Sequence, residues 1–254
     1  FMRIQRRLLL EQMELLKKCE LGSYIMGGVN PRTVDEFREQ VPLTTYEDYA
    51  PYLLKRKKGV LPEKPILWQH TSGRSGEYSF KWVPITSRQY NEMGPALFSS
   101  LIFSSCRRRG DIVLKEHDKY LYALAPTPYR SGVGGCRLEE EGLLDFLPPL
   151  EQAEEMDFAE RVKQGFKMAL FEGMDMFGGI ASALVAMGER FGQGNGNIDI
   201  KPFLRKPRAL FRLAKAYTKS KLARRPMLPK DVWSLKGLVA GGTDTTVFRG
   251  KIQE

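Results

Sequence analysis

The sequence predicts an α/β fold with a mostly parallel sheet flanked by helices, on three observations. Short apolar runs suited to buried strands, such as "KYLYALAP" and "LKGLVAGG", alternate with longer stretches of helical periodicity. The 254 residues are 42% hydrophobic, enough to bury a sizeable core as one large domain or two smaller ones. The longest apolar runs, such as "SALVAM", fall far short of the roughly 20 residues that a bilayer-spanning helix needs.

The elements follow in order. Ile4, Leu8, Leu15, Leu16 and Cys19 fall among charges and predict one long amphipathic helix over the first twenty residues. The same charges interrupt "RRLLLEQMELLKKCE" and exclude a signal peptide reading. "VNPRTVDEFREQVPLTTYEDYAPYLLKRKKG" reads as two short helices separated by "VPLTTYED", with Thr33 and Glu36, and Thr45 and Asp48, as start signals. "ILWQH" and "YSFKWVPIT" read as extended segments joined by a Ser/Gly loop, the second alternating Phe80 and Trp82 with polar partners. Ser87 is placed to cap a helix through "YNEMGPALFSSLIFSS", bent by Pro95.

"DIVLKEH" and "KYLYALAP" then read as strands, followed by an irregular Gly/Pro region reaching residues 147–150. Helical patterns dominate residues 156–191, and the loop "GQGNGN" leads to a basic helix. "LKGLVAGG" reads as a buried strand ending in a glycine turn, with Thr243 placed to cap a last helix. The chain shows no internal repeat and no low-complexity tract. Phe1 precedes Met2, and the last helix stops at Glu254 with Phe248 and Ile252 on one face and no capping glycine, so the sequence is expected to be a fragment of a longer protein.

The net charge of +10 is concentrated between Lys201 and Lys230. There Leu210, Phe211, Leu213, Ala214 and Tyr217 recur at helical intervals beneath a cationic face. A solvated face is the default reading, with an anionic membrane surface or RNA as the alternatives. No stacking platform or groove-reading helix accompanies the charge, so no nucleic-acid partner is expected, and peripheral membrane contact stays open. Cys19, Cys106 and Cys136 are odd in number and far apart, and His70 and His117 are the only histidines. That pattern predicts neither a metal site nor a disulfide framework, but cysteines buried as small apolar residues in a reducing, cytoplasmic compartment; a nucleophilic cysteine is the sharper alternative.

The chemistry is carried by "WQHTSGRSGEYSFKWVPIT". Thr71, Ser72, Gly73, Arg74, Ser75 and Gly76 bring hydroxyls and glycines together, and Lys81 follows. Small residues let the backbone approach a ligand, and successive N–H groups beside hydroxyls form a concavity for anionic oxygens, which points to phosphate. The spacing matches neither of the two familiar glycine-rich phosphate signatures, and the same composition suits an ordinary hairpin tip. Lys81 reads equally as an added cation or as a strand lysine facing solvent.

"HTSGRSGEYSFKWVPIT" resembles the phosphate loop of the acyl-adenylate-forming enzymes, a superfamily that includes acyl-CoA synthetases, luciferases and nonribosomal adenylation domains. "VPLTTYEDY", upstream, is closely similar to the segment before the loop in the plant auxin-responsive acyl-amido synthetases and their bacterial relatives. "LAPTPYRSG", with Pro126, Tyr129 and Gly132, resembles a further family element. "FGGIASALVAM" is similar to the helix start that lines the carboxylate pocket, and "SLKGLVAGGT" to the strand and turn that meet acyl group and nucleotide. Two departures stand out. Arg74 occupies a place where the family usually has a small hydroxyl residue, and the adenine-binding aromatic/T-E motif and the catalytic lysine of the cap domain have no counterpart here.

The resemblance implies that residues 1–254 are the N-terminal portion of the large domain of an acyl-adenylating enzyme, lacking its C-terminal half and cap domain. It implies ATP-dependent activation of a carboxylic acid as an acyl adenylate, with Mg2+, then transfer to a thiol such as coenzyme A or to the amine of an amino acid. Thr71, Ser72, Gly73, Arg74, Ser75, Gly76 and Lys81 would bind phosphate. Tyr129, Ile180, Ala181, Ser182, Gly241, Gly242 and Thr243 would shape the substrate pocket, with core packing the plain reading for Ile180 and Ala181. Catalytic residues and a metal ligand are expected outside this chain, which should then be inactive alone. The competing readings are a non-catalytic module that keeps the fold, and a basic protein that associates with RNA or membrane.

Overall fold

The structure is a computed structural model and describes residues 1–71, 80–193, 201–242 and 245–253. The chain divides into two compact units, residues 1–90 with 128–130, and residues 91–127 with 131–254.

The first unit holds α1 (Met2–Leu16), α2 (Glu20–Ile25), α3 (Val34–Gln40), α4 (Tyr46–Leu53) and the antiparallel strands β1 (Leu67–His70) and β2 (Trp82–Ile85). The single N-terminal helix read from the sequence stops at Leu16. Gly22 lies so close to the Leu16 carbonyl that a Cβ would collide with it, and the chain turns there. Cys19 caps the next helix instead, its Sγ accepting the Gly22 N–H at 3.2 Å. All three cysteines are free and partly exposed rather than buried. Both predicted start signals operate: Thr33 Oγ1 accepts the Glu36 N–H at 3.1 Å, and the Asp48 carboxylate accepts the Thr45 N–H at 2.7 Å. Because Thr45 is the cap, Tyr46 to Asp48 belong to α4 and not to the connection before it.

α5 (Ser87–Ser105) is capped one residue earlier than expected. Thr86 Oγ1 accepts the Gln89 N–H at 3.3 Å, while Gln89 Oε1 accepts the Thr86 N–H at 3.1 Å. In the second unit, β3 (Asp118–Ala123), β4 (Leu144–Leu147), β5 (Met176–Ile180) and β6 (Gly237–Gly241) form a fully parallel four-stranded sheet in the order β4-β3-β5-β6. Its helices are α6 (Arg130–Glu139), α7 (Leu150–Ala153), α8 (Phe158–Glu172), α9 (Ala181–Gln193), α10 (Pro207–Leu222), α11 (Pro229–Val232) and α12 (Thr245–Gln253). Alternation along β3 supplies both faces, as parallel sheets covered on two sides require. Leu121 and Ala123 pack with Val162, Phe166, Phe177 and Trp233, whereas Tyr120 and Tyr122 pack with Leu101, Leu138 and Phe146. Burial pushes both tyrosine hydroxyls well above their usual pKa.

Three expectations about the elements of this unit fail. "DIVLKEH" is not a strand: Ile112 is exposed, and a turn closes from Lys115 to Asp118, whose carboxylate accepts the Lys115 N–H at 2.8 Å. The region expected to be irregular contains α6 and β4. The glycines that hid α6 are there for close packing, since a Cβ on Gly132 would strike the Pro126 backbone and one on Gly135 the Tyr122 ring. The stretch in which helical patterns dominate also contains the inner strand β5, where a Cβ on Gly178 would overlap the Tyr120 hydroxyl.

The basic helix α10 is present, but its buried face is Ala209, Leu213, Ala216 and Ser220, leaving Phe211 and Tyr217 exposed. Arg212 is not solvated as expected. Its Nη2 donates to the Leu170 carbonyl at 2.6 Å and, with Trp233 Nε1 donating to the Ala169 carbonyl at 3.0 Å, occupies the C-terminal carbonyls of α8. Burial lowers the Arg212 pKa.

Candidate functional site

The expected phosphate loop hangs from β1 and β2, which pair from Leu67 with Ile85 to His70 with Trp82. The two strands are thus joined by the Ser/Gly segment as the sequence predicts. Ser72, Gly73, Arg74, Ser75 and Gly76 lie outside the described residues. Thr71 and Lys81 flank them, and the Thr71 N–H donates to the Lys81 carbonyl at 3.1 Å, extending the pairing beyond the strands.

Two groups hold this neck. Tyr46, the first residue of α4 and part of "VPLTTYEDY", accepts the Trp82 N–H at 2.8 Å and donates to the Trp82 carbonyl at 3.3 Å. The hydroxyl therefore occupies both backbone groups of the residue after Lys81. On the other strand, buried His70 sits among Phe80, Trp82 and Tyr129, with ring centroids 4.4, 5.0 and 4.4 Å away. Its N–H donates to the Pro128 carbonyl at 3.0 Å, and its backbone bridges in parallel to Tyr129. Tyr129 is therefore part of the hairpin's aromatic support. His70 stands in no motif of its own; the one sign of its role in the sequence is the Phe80/Trp82 alternation, which puts two rings on one face.

Lys81 points away from that cluster. Its Nζ lies 5.5 Å from the centre of the Tyr46 ring, and its charge adds to the causes that hold Glu47 below the usual carboxylate pKa, of which the Thr45 hydrogen bond is the first. Lys81 as a whole is half-buried.

Of the other residues expected to shape a substrate pocket, the described ones lie at the C-terminal ends of β5 and β6, the end at which open α/β sheets take ligands. Ile180 pairs with Gly241, the last residues of β5 and β6. Gly242 follows with φ of 138°, a conformation that favours glycine, and its carbonyl accepts from Thr245 Oγ1 at 3.0 Å. Ala181 is 1% exposed and packs as core, whereas Ser182 is exposed in the first turn of α9. Gly241 and Gly242 are thus exposed at this end of the sheet beside half-buried Ile180, Ala181 packs beneath as core, and Tyr129 belongs to the hairpin unit. Thr243 lies outside the described residues.

Among the described residues, no three His, Cys, Asp or Glu side chains are grouped to hold a metal, and no helix is long and apolar enough to cross a membrane. No curated protein matches the chain. Residues 1–136 match the GH3 family N-terminal domain, from a family of acyl-acid amido synthetases whose members use ATP and Mg2+ to adenylate acids and conjugate them to amino acids. That match covers more than half of the 254 residues and takes in the caps of α3 and α4, both hairpin strands and Tyr129, so the chain belongs to the GH3 family.

Proposed function

We propose that this chain is the N-terminal portion of an acyl-adenylating ligase of the cytoplasm that activates a carboxylic acid with ATP and passes it to the amine of an amino acid. The observation that carries the reading is the hairpin. A Ser/Gly segment of the composition that holds phosphate sits between two short strands locked by Tyr46 and His70, inside the segment that matches the family. The free cysteines accord with a reducing compartment.

In the first step the acid's carboxylate oxygen attacks the α-phosphorus of ATP and pyrophosphate leaves. The hydroxyls of Thr71, Ser72 and Ser75 and the N–H groups of Gly73 and Gly76 hold the phosphate oxygens, and Arg74 and Lys81 add positive charge as the leaving group's charge develops. In the second step the amine attacks the acyl carbon and AMP leaves. Ile180, Ser182, Gly241, Gly242 and Thr243 shape the acyl pocket, the glycines by letting substrate approach the backbone, with Ala181 packed behind them as core; Tyr129 serves the hairpin that carries the phosphate loop. Mg2+ bound with ATP would offset phosphate charge; among the described residues no group of His, Cys, Asp or Glu is placed to hold it.

The test is ATP binding by the chain, read by calorimetry, followed by ATP–pyrophosphate exchange with a panel of carboxylic acids and acyl transfer to amino acids or coenzyme A. Ser72→Ala with Ser75→Ala is expected to weaken ATP binding about tenfold, the worth of one or two hydrogen bonds to charged oxygens. Exchange is expected only when the catalytic lysine and the T-E segment implied by the resemblance are supplied with the chain. Unchanged ATP affinity in the double variant would remove the loop from the site, and transfer to coenzyme A alone would replace the amine acceptor.

A further inference from the structure

We infer that the outward face of α10 docks on an anionic lipid surface. Residues 201–230 carry eleven Lys and Arg side chains and not one Asp or Glu, whereas the whole chain has a net charge of +10. The structure shows which of these are engaged. Arg212 holds the α8 carbonyls, Arg225 pairs with Asp231 at 2.6 and 2.8 Å, and Lys219 lies 3.5 Å from the same carboxylate. Lys221 Nζ lies over the Tyr217 ring, 5.3 Å from its centre, and Arg205, Lys206, Arg208, Lys215 and Arg224 are exposed.

Charge alone describes a solvated face; the apolar side chains among these cations do not fit one. Opposite the buried row Ala209, Leu213, Ala216 and Ser220, the helix presents Phe211 at 73% and Leu222 at 81% exposure, with Leu204 at 67% in the turn before it. Phe211 and Leu222 are eleven residues apart, close to three helical turns, so they stand on one line with Arg208 and Lys215 beside it. A nucleic acid would use the cations but leave Leu204 and Leu222 in water, since aliphatic side chains give bases no stacking surface. A lipid surface satisfies both features: headgroups take the charges and the acyl boundary takes the apolar tips. The inference does not depend on the reaction proposed above.

The test is co-sedimentation of the chain with vesicles of phosphatidylcholine alone or mixed with phosphatidylglycerol. Binding is expected to the mixed vesicles only and to weaken as salt rises. Phe211→Ser with Leu222→Ser leaves the charge unchanged and should weaken binding about tenfold, and Arg208→Glu with Lys215→Glu should abolish it. All four side chains are exposed, and circular dichroism checks that the fold persists. Equal binding to both vesicle types, or binding indifferent to Phe211→Ser/Leu222→Ser, overturns the inference. So does tighter binding to homopolymeric RNA that survives that double variant.

Discussion

The two ends of the parallel sheet are built from opposite materials. At the N-terminal end, long charged side chains tie the strands across their gaps. Lys236 Nζ, before β6, lies 2.5 and 2.6 Å from the Asp118 carboxylate of β3 and 3.7 Å from Asp175 before β5, while Lys119 Nζ lies 2.6 Å from Asp145 of β4. At the C-terminal end, β5 and β6 finish in Ile180, Gly241 and Gly242, with no such ties among the described residues. Ion pairs that close one end add stability, and bare backbone at the other leaves room for a ligand. The sheet thus carries its charged ties at one end and bare backbone at the other.

The largest expected effect comes from breaking the tied end. Lys236→Met leaves the buried Asp118 carboxylate without its cation and should cost about 3 kcal/mol in denaturant unfolding, the usual penalty for stripping a buried ion of its partner. A loss under about 0.5 kcal/mol would show that the Lys115 N–H alone is enough for Asp118.

A smaller effect is expected at Asp145. The Lys119 hydrogen bond, and then that of His117, holds its carboxyl below the usual carboxylate range. A depressed folded-state pKa contributes stability that is fully present above the unfolded value, near 3.9, and is lost as pH falls through the folded value. With the carboxylate partly exposed, Asp145→Asn should cost less than about 1 kcal/mol at neutral pH, and the gap to the unsubstituted protein should close below about pH 4. A gap that persists in acid would assign the effect to packing.

The smallest stability change belongs to the open end. A Cβ on Gly241 would meet no atom within 4 Å, so Gly241→Ala should change stability by no more than about 0.5 kcal/mol. Nucleotide and acid binding should nonetheless weaken, because the added methyl occupies the edge where substrate is proposed to lie. Unaltered binding would move the acyl pocket elsewhere.

What the sequence disclosed follows the same division. Thr33 and Thr45 announced their helices because a cap acts within four residues, and β1 and β2 were visible through strand alternation. α6 was hidden because Gly132, Gly134 and Gly135 answer to Pro126, Leu97 and Tyr122, neighbours that only the fold brings close. Ile112, Val113 and Leu114 suggested a strand by composition, yet the Asp118 carboxylate turns the chain before it can pair. Arg212 looked like one more surface charge, since nothing in its own helix announces the Leu170 carbonyl it meets. At the candidate site, the two strands that flank the Ser/Gly segment and the glycine turn after β6 were legible from composition. The supports were less so: Tyr46 and His70 act on residues far from them in sequence, through contacts that no local pattern encodes.

The indole of Trp233 offers a spectroscopic handle on this architecture. It is buried, donates to the Ala169 carbonyl and lies among Phe166 and Phe191, all within the sheet unit, whereas Trp68 and Trp82 belong to the hairpin unit. Those three are the chain's only tryptophans. Replacing Trp233 by Phe therefore silences the sheet unit's tryptophan emission, and replacing Trp68 and Trp82 silences the hairpin's. Emission from each pair of variants would follow the melting of one unit without the other and show whether the two unfold as a single cooperative body.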